Sequence, residues 1–170
     1  RHIRTEFERL GLEGISTDTF DVTVPVDKGA SLQIEGEERL EVFGLWPNGV
    51  RTSTLPDDGV QGTLVYGAKG RLEDLDGLPL EDSIVLLDFD CDQNYLNVVS
   101  LGARAVVFFD NGGVSREQAS DKFLKVPVDV PRYWLDAEAG RALAQRLSRE
   151  TPQARLQGRM DWETVQAKNV

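Results

Sequence analysis

Three carboxylates, Asp88, Asp90 and Asp92, stand two residues apart. On an extended strand that spacing puts them on one face, where converging oxygens suit Ca²⁺. The helix–loop–helix calcium pattern asks for Gly at its sixth position and Glu at its twelfth. Counted from Asp88 these are Gln93 and Val99. The triplet is therefore a weak calcium candidate, and the simpler reading is solvated acids with Asp92 capping a helix. Asp57-Asp58, Asp74, Asp76 and Glu81-Asp82 offer further carboxylates for acid–base work, but they lie scattered through loop-like segments. The chain has one Cys, Cys91, and one His, His2. One Cys makes no internal disulfide. A lone His near the start makes a Ser–His–Asp or Cys–His triad improbable, because the base must be held rigidly. Zinc sites, which need several His or Cys ligands, lose most of their material too. No Gly-Lys-Ser or Gly-Lys-Thr phosphate loop and no Gly-x-Ser-x-Gly elbow occurs. Gly67-Ala68-Lys69-Gly70 reads as a turn. No catalytic residue is assigned. The chemistry left to the chain is binding and positioning.

Charge points the same way. The 170 residues carry 19 Lys plus Arg and 29 Asp plus Glu, a net charge of −10. Such a surface repels nucleic-acid phosphates and anionic lipid, so neither is an expected partner. No apolar run is long enough to span a bilayer, and no export signal is visible in this stretch. With 40% apolar and 28% charged residues, the composition is that of a self-standing globular domain.

The elements that position these groups follow from hydrophobic periodicity. Residues 5–10 read as a helix end closed by Gly11. Phe20, Val22, Val24 and Val26 alternate with polar residues, a strand with one buried face. Lys28-Gly29 then reads as a turn into a second short strand with Leu32 and Ile34, together a hairpin. Leu40 to Trp46 is a third apolar run, residues 51–58 a loop, and 59–66 a strand. Ile84-Val85-Leu86-Leu87 and Ala105 to Phe109 are continuous apolar runs, typical of strands covered on both faces. Between them a short helix runs from Asp92 to Leu101, giving a parallel crossover. Residues 114–125 read as polar and exposed, and the prolines of 125–131 as extended chain. Tyr133-Trp134-Leu135 is a short strand, and Asp136 starts a helix with Leu135, Ala139, Leu143 and Leu147 on its buried stripe. Residues 154–163 alternate cleanly, a long strand apolar on one side. The two one-sided strands, 20–26 and 154–162, are expected to share a sheet. Trp46, Trp134 and Trp162 all fall in apolar strand patterns, as core or interface anchors.

The middle of the chain resembles the protease-associated (PA) domain. Gly62 to Gly67 is similar to its opening strand, Ile84-Val85-Leu86-Leu87 to its "kIVLv" strand, and Leu101 to Phe108 to its "a.GAkavif" signature. Cys91 and Tyr95 fall where the family often has Cys and an aromatic residue. Val126-Pro127 through Leu135 resembles the "iPvv.i" segment, and Gly140 and Leu143 the closing helix. The flanks, Phe7 to Glu13 and Ala167 to Val170, resemble zinc-dependent aminopeptidases of the transferrin-receptor and glutamate-carboxypeptidase type, which carry a PA domain inserted early in the peptidase. Two features depart from the pattern. Asp88-Phe89-Asp90 stands where relatives often have Arg-Gly, and the Cys partner of some relatives is missing.

The resemblance implies an α+β fold, a β-rich sheet or barrel with two or three flanking helices. It implies an N-terminal flank over 1–48, a PA domain over 49–150 and a return strand over 151–170. It further implies a non-catalytic lid or wall that restricts substrate access, or that mediates protein interaction; the alternative is an interaction domain of a receptor-like, inactive relative. The implied partners are a peptidase domain of the same chain and a peptide or protein substrate. Zinc and its ligands belong in that peptidase domain, with no cofactor in this stretch, and export is the implied destination. Loops 67–82 and 110–125 are the candidate facing surfaces. Asp88, Asp90, Arg116 and Arg132 are the substrate-facing or interaction candidates.

Overall fold

The computed structural model describes residues 2–110, 112–122, 124 and 126–169. In chain order the elements are α1 (His2–Arg9), β1 (Asp18–Ile34), β2 (Arg39–Gly44), β3 (Val60–Tyr66), α2 (Leu72–Leu75), β4 (Ile84–Asp88), α3 (Tyr95–Ser100), β5 (Ala105–Phe109), α4 (Arg116–Lys122), β6 (Arg132–Leu135), α5 (Ala137–Leu147) and β7 (Gln153–Asn169). The strands follow the order β1-β2-β6-β5-β4-β3-β7 and close into a barrel. The fold is α+β, with five helices among the described residues where two or three were expected. The surplus comes from α2 and α4, each a short polar helix that shows little apolar periodicity in the sequence.

The chain divides into two units, one of residues up to Val26 with those from Trp162 onward, the other Asp27–Asp161. The larger unit is built around four parallel strands. β4 pairs in parallel with β3 and with β5, and β5 pairs in parallel with β6. Antiparallel neighbours flank this set: β2 beside β6, and β7 beside β3. β4 shows why a continuous apolar run belongs here. Ile84 and Leu86 enter one core with Val107, Phe109, Leu143 and Leu147. Val85 and Leu87 enter a second core with Tyr95, Val98, Phe108 and Trp134. Each face is closed by a helix, α5 on the first and α3 on the second. All four apolar side chains of β4 are fully buried, and each contributes roughly 1.5–3 kcal/mol.

The expected hairpin at Lys28-Gly29 is not formed. β1 runs unbroken through that dipeptide for 17 residues. Gly29 does take a positive φ, 105°, but one side chain contains the irregularity. Asp27 Oδ1 accepts the Gly29 N–H (2.9 Å) and Oδ2 accepts the Gly44 N–H (2.8 Å), fastening β1 to the end of β2. The reversal comes later, over residues 35–38, where the Glu37 N–H reaches the Ile34 carbonyl. Two further readings change. Residues 116–122 form α4, with Ala119 fully buried, where a wholly exposed segment was expected. The helix expected from Asp92 begins only at Tyr95, with Asn94 at its N-cap, and Asp92 sits in a turn at φ 48°.

In the smaller unit, α1 buries no residue. The outer halves of β1 and β7 approach each other here, with the Thr23 and Thr164 hydroxyls 3.4 Å apart, and both strands belong to the one closed sheet, as expected. Phe20, Trp162 and Val165 on these strands are exposed, as are Ile3, Leu10 and Leu12 before them.

Candidate functional site

Four parallel strands place their carboxyl ends along one edge of the larger unit. In open parallel sheets such an edge is where ligands are met, because loops and unpaired backbone groups collect there. β3 ends at Tyr66, β4 at Asp88, β5 just before Asp110, and β6 just before Asp136. An acid thus stands at or just after the end of three adjacent strands. The segments that follow β3 and β5 begin the two stretches the sequence singled out, 67–82 and 110–125.

The first of these loops is anchored to the edge. The Tyr66 hydroxyl donates to Asp88 Oδ1 at 2.8 Å, and the Asp88 N–H donates to the Ala68 carbonyl at 2.8 Å. Burial, then the Asp88 hydrogen bond, pushes the Tyr66 hydroxyl well above the ordinary phenol range, so it is a proton-holding donor at neutral pH and not a base. Lys69 Nζ pairs with Asp90 Oδ2 at 2.7 Å. That bond raises the lysine further, so Lys69 stays a cation and is no nucleophile. Gly67-Ala68-Lys69-Gly70 is a turn, as expected, closed by Gly70 N–H to the Gly67 carbonyl, with Asn97 Nδ2 donating to the Gly70 carbonyl from α3. In the second loop, Asp110 Oδ2 accepts the N–H groups of Gly112 (2.8 Å), Gly113 and Val114 (2.9 Å).

These partners decide what the carboxylates do. Asp88, Asp90 and Asp92 share no face, because β4 ends at Asp88 and the period-two argument ends with it. Asp88 turns to Tyr66 and Asp90 to Lys69. Among the described residues no group of three or more His, Cys, Asp or Glu is gathered as a metal-holding set. Zinc therefore does not fit these residues, and no chemical step is assigned to it. The remaining candidates lie apart. The Arg116 guanidinium stands 4.3 Å from the centre of the Phe43 ring, a surface cation–π contact. Arg132 is 1% exposed. Its Nη2 donates to the Trp46 carbonyl at 3.0 Å, and burial pulls its guanidinium down from the usual range. It braces the interior, where the sequence reading expected a surface-facing group. Trp134 is buried, edge-on to Phe89 at 5.4 Å, whereas Trp46 and Trp162 are about half exposed (47% and 56%). Sequence reasoning missed the Tyr66–Asp88 hydrogen bond and the Asp110 carboxylate as the acceptor that organises its loop; the available signal was an Asp closing each of three apolar strand patterns.

No family model matches the chain, and no curated protein matches it in sequence. Its fold does match solved structures. An aminopeptidase from Aneurinibacillus sp. strain AM-1 superposes with a TM-score of 0.55 at 21% identity, over 99% of this chain and 40% of that one. A zinc aminopeptidase from Bacillus subtilis gives 0.61 at 17%, over 98% and 38%. A peptidase M28 precursor from Shewanella amazonensis gives 0.56 at 16%, over 97% and 42%. The likeness is one of fold, and this chain spans about two fifths of the length of those proteins.

Proposed function

We propose that this chain is an accessory, non-catalytic PA-type domain of a zinc-dependent aminopeptidase, forming a wall beside the substrate cleft of a peptidase domain in the same protein. The observation that carries this reading is the pattern of coverage. Nearly all of this chain matches, yet it accounts for only 38–42% of each similar aminopeptidase. Exposed Ile3, Leu10, Leu12, Phe20, Trp162 and Val165 in the smaller unit support it, since so many exposed apolar side chains call for a covering partner. The groups at the strand edge are hydrogen-bonded or ion-paired and suit positioning more than proton transfer.

In this reading loops 67–82 and 110–125 face the cleft; residues 111, 123 and 125 lie outside the described residues. A rigid wall changes selectivity by excluding misfitting substrates, with no chemistry of its own. The zinc and its ligands belong to the peptidase domain, and the protein acts outside the cytoplasm. No helix among the described residues is long and apolar enough to cross a membrane. The test is to exchange both loops in the complete protein and measure kcat/KM across aminoacyl amides and longer peptides. The expected result is an altered ratio between long and short substrates, with the smallest substrate unchanged. An unchanged ratio across the whole series would refute the wall role.

A further inference from the structure

One surface of the larger unit is both apolar and acidic. Leu72 in α2 is 68% exposed and Leu101, just past α3, is 46% exposed. With Leu78 and Pro79 they line an open groove of about 590 Å³, whose acidic members are Asp76 and Glu81. The groove is preformed. Leu75 and Leu80 are buried beneath it, Leu78 N–H bonds the Leu75 carbonyl, and Asp82 N–H bonds the Gly102 carbonyl, tying the loop to the end of α3. A site already held in shape loses little ordering entropy on binding.

Charge selects the occupant. Arg71 is committed to Glu73 and Asp74, and Arg104 to Asp82. Asp76 and Glu81, the two acids that line the groove, make no ion pair with the described residues. We propose that this groove binds an extended peptide segment carrying an apolar side chain beside lysine or arginine. Apolar side chains bury against Leu72 and Leu101, and the cations meet Asp76 and Glu81. A second copy of this chain is a poor occupant, because each copy carries a net charge of −10. The proposal rests on the reading of the chain as an accessory module and names the kind of peptide that such a module receives.

The test uses the whole 170-residue chain and a fluorescein-labelled octapeptide of alternating Leu and Lys, followed by anisotropy. Saturable binding that weakens with salt is expected, and the same peptide with Glu for Lys should not bind. Leu72→Ser with Leu101→Ser should weaken binding about tenfold. Asp76→Asn with Glu81→Gln should weaken it and flatten the salt dependence. All four side chains are exposed, and unchanged melting curves would show that the variants fold. Binding that survives both paired variants would overturn the proposal, since it would be diffuse attraction to an acidic protein. Equal binding of the Glu peptide, or a groove substitution that instead shifts a dimer equilibrium in sedimentation, would overturn it as well. The peptidase reading is tested separately, by loop exchange in the complete protein.

Discussion

Gly140 lies inside α5, where helix propensity alone says that Ala should be better by about 1 kcal/mol. Packing says the opposite. A Cβ at this position would stand 2.4 Å from both Cβ and Cγ of Phe109, and 2.6 Å from Cδ2. Carbon atoms in contact sit about 3.5–4.0 Å apart, so helix or ring must yield by more than 1 Å. Phe109 is 1% exposed in the middle of the first core and has nowhere to go. Overpacking costs typically 1–3 kcal/mol, and a displacement this large belongs at the upper end. Gly140→Ala should therefore destabilise the chain by about 2 kcal/mol once the propensity gain is subtracted. Equilibrium urea unfolding followed by circular dichroism reads this as a lower midpoint with an unchanged slope. Phe109→Leu in the same chain should restore part of the loss, giving a coupling energy of about 1 kcal/mol or more in a double-mutant cycle. Gly140→Ala as stable as the parent, or more so, would refute the packing argument.

Three further outcomes follow from the same structure. Burial raises all three tyrosines, Tyr66, Tyr95 and Tyr133, above the ordinary value near 10. The unfolded chain then loses these protons first, so the contribution is intact below about pH 10 and stability falls as pH rises above it. Phenolate absorbance should appear together with unfolding, and a smooth titration near pH 10 in the folded chain would contradict this. Cys91 is 1% exposed, so its thiol should react with an aromatic disulfide reagent only on unfolding; rapid reaction of the native chain would count against the described packing. Arg132→Ala should cost about 2–4 kcal/mol in stability, as for other large buried side chains, and leave octapeptide binding unchanged. Lost binding with normal stability would return Arg132 to the list of contact residues.

What the sequence made legible was governed by hydrophobicity. Ile84 to Leu87 and Ala105 to Phe109 are apolar at every position, and only a strand covered on both faces satisfies such a run. The parallel crossover between them followed directly. The readings that failed did so for different physical reasons, one of them a single side chain acting at a distance. Lys28-Gly29 has turn composition, but the Asp27 carboxylate reaches 17 residues along the chain to Gly44 and keeps the strand whole. α4 has only Ala119 as a described buried contact, too little for a periodic signal. Asp88, Asp90 and Asp92 looked aligned because alternation presumes a strand, and the strand stops at the first of them. Arg132 carries the charge of a surface residue and lies in the interior, which composition does not reveal. The alternation of 154–163 is present in β7, yet burial stops at Met160 and Trp162 is exposed. Periodicity marks a face that can be covered and is silent on what covers it.

On the proposed function these residues position a substrate and leave bond cleavage to another domain. The direct measurement is hydrolysis of aminoacyl amides and short peptides by the purified 170-residue chain with zinc supplied. The expected rate equals that of buffer alone and is unchanged in Asp88→Asn and Asp90→Asn variants. Turnover by the parent chain that either substitution abolishes would contradict it.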